Sequence, residues 1–454
     1  MSDLTISKSR GKAVPVHLIK AGELPQSVSI PPFGHSWAKA NKFTGETGKL
    51  LMVPDDKGKI GRVLYGVGDA SQPLVTGGLG SRLPPGNYRF CENDLDPHLT
   101  ALGWMLGAYS FGDYKKTKSR EAKLVLSDGV DRKRLEREAE AAFLARDLIN
   151  TPANDLGPDE LEVVIRKLGR RHKATVSVVK GDALLKKNFP MIHVVGRASV
   201  NAPRLIDLKW GNLKHPKVTL VGKGVIFDSG GLNIKPAAGM LLMKKDMGGA
   251  ANVIALAKMI MEAKLPVRLR LLVPAVENAI SGNAFRPGDV LSSRKGLTVE
   301  IGNTDAEGRL VLGDALALGD EEKPDLMIDM ATLTGAARVA LGPDLPPYYT
   351  DDSELCDAIR QAADINHDPL WPMPLWTPYQ KMLASKVANV NHIAPGGFAG
   401  SITAALFLSR FVEKSRSWAH LDIFGWVPTA KPWASVGGEA QGIRALFEVI
   451  SRRY

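Results

Sequence analysis

From residue 157 to residue 335, strand-like segments alternate with helix-like ones, and that order confines the chain to an α/β fold with a mainly parallel sheet. "GPDELEVVIRKLG" (157–169) has helical periodicity, while "TVSVVKG", "MIHVVGRAS" and "RLIDLKWG" have strand composition. "HPKVTLVGKGVIF" (215–227) reads as a buried strand running into a loop. A helix over 248–266, a strand over 267–278, a helix over 309–322 and a strand over 324–335 complete the pattern. At 454 residues the chain exceeds one ordinary core, so two domains are expected.

The text before this pattern differs. Residues 1–128 form a poorly patterned α/β region with Gly/Pro-rich stretches such as "GGLGSRLPPGNY" (77–88), which read as loops. "DRKRLEREAEAAFLARDLIN" places Leu135, Ala139, Ala142 and Phe143 on one helical face and stops before Pro152. The expected organisation is therefore an N-terminal α/β domain (1–128), a connecting helix (129–150) and a larger α/β domain (151–454). The first twelve residues are polar, without the apolar core of a secretory signal, and no run is long enough to span a bilayer. Two cysteines without CxxC spacing argue against a disulfide framework and fit a reducing cytoplasm. The formal net charge of +11 would suit nucleic acid, but Lys and Arg are scattered, which fits a solvated basic surface better.

The chemistry gathers around "NTDAEGRL" (303–310). If extended, this segment would turn Asp305, Glu307 and Arg309 to one side. Lys223 directly follows the buried strand "VTLVG", at the carboxyl end where α/β sheets bind ligands. Asp228 lies in the glycine-rich "FDSGG", followed by Lys235 and Asp246. Four acids, Asp228, Asp246, Asp305 and Glu307, cannot all stay ionised in one pocket without cations, and two divalent metals would resolve this. Solvated loop acids beside chance lysines are the alternative, and the pattern also admits another metal-dependent hydrolase, such as a phosphoesterase. No histidine sits in HExxH, no GxSxG elbow is present, and "GKG" at 222–224 lacks the remainder of a P-loop.

These segments resemble the leucyl (cytosol) aminopeptidase family of two-metal exopeptidases. "NTDAEGRL" matches the family signature, as do "GKGxxFDSGGxxIK", "MKKDMGGAA", "RDLINTPANDLGP", "NAFRPGDVL", "MATLTGA", "GSITAALFL" and "WAHLDI", together covering about residues 140–450. The resemblance implies that Asp228 and Glu307 bridge two metals, that Asp305 binds one, and that Lys223, as the neutral amine, and Asp246 complete the other. It implies zinc or manganese, with magnesium or cobalt as alternatives. Lys235 would face the substrate carbonyl oxygen, and Arg309 would hold a bicarbonate acting as general base. Met243, Thr332, Leu333 and Gly335 would line the pocket for the first residue, favouring Leu or Met. The substrates implied are short peptides with a free N-terminus, turned over in the cytoplasm by a homohexamer built as a dimer of trimers. Within 424–438, "FGWVPTAKPWASVGG" departs from the family text and adds Trp426 and Trp433. A nucleic-acid-binding regulator on the same scaffold and an inactive family member are the competing readings; the intact polar set argues against the second.

Overall fold

A computed structural model describes residues 5–7, 11–23, 30–115 and 121–454. The N-terminal stretch read as lacking a signal therefore lies largely outside the described residues. The chain divides into two compact units: one of residues up to Phe143 together with Val427–Val436, the other of Leu144–Trp426 and Gly437–Tyr454.

The larger unit is organised by one mixed sheet. Its strands, in chain order, are β1 (Thr175–Lys180), β2 (Arg204–Trp210), β3 (Lys217–Gly222), β4 (Gly224–Asp228), β5 (Arg268–Asn278), β6 (Leu326–Ala331), β7 (Pro347–Tyr349), β8 (Trp371–Pro372) and β9 (Trp418–Asp422). The spatial order is β8-β7-β9-β6-β3-β5-β2-β1, with β4 added to β5. The centre is parallel: β9, β6, β3 and β5 pair in that sense, as β4 does with β5. Beyond β5 the pairing becomes antiparallel. The parallel strands are buried almost throughout, as strands covered on both faces must be.

Helices pack on this sheet. Among them are α1 (Pro158–His172), α2 (Pro190–Gly196), α3 (Gly248–Ala263) and α4 (Gly308–Asp320), while α5 (Gly335–Leu341) packs against the helix Gly400–Ser409. α3 is buried from Gly248 to Met261, as expected of a helix apolar all round. Leu310, Val311, Leu312 and Leu316 of α4 share a core cluster with Val221, Leu272 and Met327 of the sheet.

Three local expectations need correction. "GVIF" (224–227), expected as loop, is strand β4, paired in parallel with β5. "MIHVVGRAS" is helical: α2 starts at Pro190, a residue pre-organised for the first helical turn, and Asp314 Oδ2 accepts the N–H groups of Met191 (2.8 Å) and Ile192 (3.3 Å). A short apolar run does not by itself distinguish strand from buried helix. "NTDAEGRL" is not extended either. Asn303 Oδ1 accepts the Asp305 N–H at 2.8 Å and opens a 3-10 turn over Thr304–Ala306, after which Gly308 begins α4.

The smaller unit has a five-stranded sheet in the order Leu50–Pro54, Ile60–Gly68, Val14–Lys20, Gly86–Phe90, Ala122–Leu124. Only the first pair is antiparallel. Helices Pro32–Ala40 and Pro97–Gly107 belong to this unit. "GGLGSRLPPGNY" is loop between a 3-10 turn ending at Gly78 and the strand starting at Gly86. Among the described residues no helix is long and apolar enough to cross a membrane.

Candidate metal centre

The sheet delivers its chemical groups at the carboxyl ends of its parallel strands, where α/β folds bind ligands. Lys223 follows β3, Asp228 ends β4, Asn278 ends β5, Thr332 follows β6 and Asp422 ends β9. Asp246 sits on the short 3-10 turn Met243–Met247 that leads into α3. Asp305 and Glu307 come from the turn before α4.

Two loops are tied together to hold this arrangement. Gly230 and Gly231 adopt φ of +87° and +62°, a region costly for residues with a β-carbon, and so turn the chain away from Asp228. Thr304 donates its hydroxyl to the Gly230 carbonyl at 2.6 Å, and Asn233 exchanges hydrogen bonds with Thr304 at 2.8 and 2.9 Å. Asp228 Oδ1 accepts from the Gly230 N–H (2.9 Å) and from Asn278 Nδ2 (2.8 Å), which orients the carboxylate.

Carboxylate oxygens of Asp228, Asp305 and Glu307 lie within 4.8 Å of one another. Lys223 Nζ is 2.7 Å from Asp246 Oδ2 and 3.0 Å from Glu307 Oε1. Lys235 Nζ is 2.8 Å from Asp228 Oδ2 and 2.5 Å from Asp305 Oδ1. Two ammonium groups thus face four acids. Glu307 is 1% exposed, and neither of its carboxylate oxygens receives an aligned hydrogen bond. Asp246 Oδ2 and Asp305 Oδ1 also lack one. Three of these four oxygens face a lysine ammonium and Glu307 Oε2 faces none; buried oxygens are normally satisfied, and carboxylates clustered in this way are the ligand set of hard divalent cations. The residues present fit such ions.

The electrostatics agree. Burial, reinforced by the neighbouring Asp228, pushes the Glu307 carboxyl up to about 8. Asp228 is raised by burial and by Asp246. Asp246 moves down: burial opposes ionisation, but the Lys223 ammonium outweighs it. Lys223 and Lys235 are both raised well above the usual lysine range, because surrounding carboxylates overcome burial. Lys223 is thus an ammonium ion-paired to Asp246 and Glu307, and only a cation displacing its proton would make it a ligand.

Arg309 is 8% exposed, and burial lowers its guanidinium to about 10. It donates from Nη1 to the His392 carbonyl at 2.7 Å, while Nε is buried without a partner. Thr332 donates its hydroxyl to Asp246 Oδ1 at 2.8 Å, and its carbonyl accepts from Lys223 Nζ at 3.1 Å. Leu333 and Gly335 belong to the same turn, and Met243 opens the turn bearing Asp246. All eleven residues singled out in the sequence lie in the larger unit, around the carboxyl ends of β3, β4 and β6.

The structure also adds residues. Asn278 was visible only as the last residue of a strand. His392 fixes the 300–305 loop: it accepts the Gly302 N–H on Nδ1 (3.2 Å) and donates from Nε2 to the Asn303 carbonyl (2.8 Å). This is the neutral tautomer, and burial followed by the Arg309 charge lowers His392 to about 3. Asp422 accepts the N–H groups of Leu333 and Thr334 and the Thr334 hydroxyl. No sequence spacing joins His392 or Asp422 to the cluster.

A family model described as "Cytosol aminopeptidase family, catalytic domain" matches residues 143–447, and "M17 aminopeptidase, N-terminal domain" matches 14–127. The chain belongs to the cytosol aminopeptidase family. The crystal structure of cytosol aminopeptidase from Coxiella burnetii is similar over 100% of both chains, with a TM-score of 0.96 and 45% identity. A probable cytosol aminopeptidase of Geobacter sp. (strain M21) is 41% identical over 370 residues, covering 78% of this chain and 75% of that one. The bottromycin maturation enzyme BotP in complex with Mn has a TM-score of 0.88 and 30% identity, over 97% of this chain and 99% of that one. This member of the cytosol aminopeptidase family is thus a hydrolase of the aminopeptidase class, and its acidic cluster fits the divalent metals of a metallopeptidase.

Proposed function

We propose that the protein removes the N-terminal residue from short peptides at a two-metal centre held by Lys223, Asp228, Asp246, Asp305 and Glu307. The observation that carries this reading is Glu307, buried beside Asp228 and Asp305, with Oε2 lacking a hydrogen bond and Oε1 facing the Lys223 ammonium. On this reading Asp228 and Glu307 would be shared between two ions, Asp305 would serve one, and Asp246 with Lys223 would serve the other. When bound, the ions would supply Lewis-acid chemistry, making water a usable nucleophile near neutral pH and polarising the scissile carbonyl. Manganese is favoured by the Mn complex of BotP, with zinc as the alternative.

The chain's own groups account for the rest. Lys235, kept protonated by Asp228 and Asp305, presents a fixed positive charge to the oxyanion that develops from the carbonyl. Arg309 offers an unsatisfied Nε to a planar oxyanion such as bicarbonate, which its guanidinium fork matches. Such an anion, held there, is the proton acceptor the site otherwise lacks, because Lys235 is protonated and His392 is committed to the backbone. Met243, Thr332, Leu333 and Gly335 form the walls for the first side chain. A free α-amine is required as the anchor, since an amide nitrogen is a poor ligand. Assembly as a hexamer and a cytoplasmic role in peptide turnover complete the reading.

The test is hydrolysis of aminoacyl amides by protein reconstituted with manganese or zinc, beside N-acetylated counterparts and the Glu307→Ala variant. Turnover of free-amine substrates alone, lost in the variant, is expected. Folded protein that binds two ions per chain yet releases no residue from any amide would overturn the proposal.

A further inference from the structure

Beside the metal centre are two basic side chains, Lys245 and Arg338, that the mechanism does not use. Lys245 lies between Lys244 and Asp246 on the 3-10 turn and is only 2% exposed. Among the described residues its ammonium makes no hydrogen bond and no ion pair. Its one close partner is an aromatic face, with Nζ 4.8 Å from the centre of the Phe424 ring. The same ring holds a second cation: the Arg338 guanidinium carbon is also 4.8 Å from its centre. Among the described residues Arg338 forms no ion pair either, and its Nη1 is buried without a hydrogen-bond partner. The backbone that carries the ring is fixed, because Gln441 Oε1 accepts both the Phe424 N–H (3.0 Å) and the Gly425 N–H (2.8 Å).

The nearby acids are already engaged. Asp246 is taken by Lys223 and Thr332, and Asp422 by the 333–334 turn. An aromatic face offsets only part of what a buried charge loses on leaving water, and two such charges on one ring repel each other. The arrangement is short of one anion. Its location indicates where that anion comes from. Lys245 is two residues from Met243, and Arg338 is three from Gly335, where an added β-carbon would meet only Arg338 Nη2, at 3.8 Å. Met243 and Gly335 are the positions proposed above for the first side chain.

We propose that Lys245 and Arg338 form an anion-binding end to the first-residue pocket, so that the enzyme selects peptides beginning with Glu or Asp. The inference rests on the aminopeptidase reading and departs from the apolar first residue expected of the family. The methylene groups of glutamate lie along Met243, and its carboxylate reaches the two cations through charge-assisted hydrogen bonds. Phe424 fixes the spacing of the pair.

The test uses the manganese-loaded enzyme on Glu-, Asp-, Gln-, Leu- and Met-aminomethylcoumarin amides. These carry no C-terminal carboxylate, so any anion preference belongs to the first residue. Wild type is expected to favour Glu over both Gln and Leu by tenfold or more in kcat/KM. Lys245→Met and Arg338→Met are each expected to lower the Glu-to-Leu ratio at least tenfold. Free glutamate is expected to inhibit the wild-type enzyme more strongly than leucine, a comparison that needs no variant to fold. Leu or Met amides cleaved as well as or better than Glu, or a ratio unmoved in both variants, would overturn the inference while leaving the aminopeptidase intact. No hydrolysis of any amide would remove the reading on which it rests.

Discussion

Gly308, the first residue of α4, sets two physical effects against each other. Helix propensity favours Gly308→Ala by ~1 kcal/mol. Packing opposes it. A β-carbon at position 308 would lie 2.7 Å from Lys223 Nζ and 2.8 Å from Cδ, with Cε closer still. Restoring an ordinary contact near 3.4 Å requires Cε, the nearest atom, to retreat by about 1 Å and Nζ by about 0.7 Å. Lys223 is 3% exposed and held between Asp246 and Glu307, so that retreat stretches both ion pairs with no water to replace them. Overpacking alone costs ~1–3 kcal/mol, and losing a buried pair costs ~3–5 kcal/mol. Packing therefore wins, and the metal-free variant is expected to be ~1–3 kcal/mol less stable than wild type. Activity is expected to suffer more, because displacement on the ångström scale at a reacting centre costs ~100-fold. Thermal unfolding in chelator and kcat/KM with manganese measure the two effects separately. A variant at least as stable as wild type, with unchanged kcat/KM, would show that Lys223 has room to move and that Gly308 is not needed for its placement.

Asp422→Ala removes an acceptor shared by two N–H groups and the Thr334 hydroxyl; it is expected to cost ~3 kcal/mol in chemical denaturation and to raise KM by loosening the pocket turn. Thr332→Val keeps the shape but deletes the hydroxyl at 2.8 Å from Asp246 Oδ1, and kcat/KM is expected to fall about tenfold, read as ~1.4 kcal/mol. His392 carries a pH signature: with a folded value of about 3 against an ordinary 6.5, the unfolded chain takes up the proton first as pH falls. Its contribution is complete above pH 6.5 and is lost as pH drops toward 3, ~4–5 kcal/mol in all. Stability measured across that window is expected to fall less steeply in His392→Gln, and parallel curves would remove His392 as a source of acid sensitivity.

What could be read from the chain follows from how local each signal is. The parallel strands were legible because burial on both faces writes continuous apolar runs such as "VTLVG" and "LMIDMA", bounded by glycine and charge. Lys223 and Asp228 were legible because they interrupt such runs at strand ends, and Asp246 because it is a lone acid just before the apolar helix α3. α2 was misread because its distinguishing feature, the Asp314 carboxylate receiving the first N–H groups, lies 122 and 123 residues away along the chain. "NTDAEGRL" was misread because alternation in a short polar segment looks the same whether it winds into a 3-10 turn or extends. Its acids still reach the same place, since Asn303 and Thr304 anchor the turn to the loop after β4. The Lys245–Phe424–Arg338 stack is the extreme case. Its members come from three separated segments, each unremarkable alone: a second lysine in "MKKD", an aromatic after "HLDI" and an arginine inside α5. Only the fold reveals that their charges share one ring and lack a counter-ion. Family membership fixes the reaction through residues whose spacing is rigid, whereas the choice of substrate rests on residues whose spacing carries no pattern. That division is why the resemblance implied walls for the first side chain but gave no sign of the two basic groups beyond them.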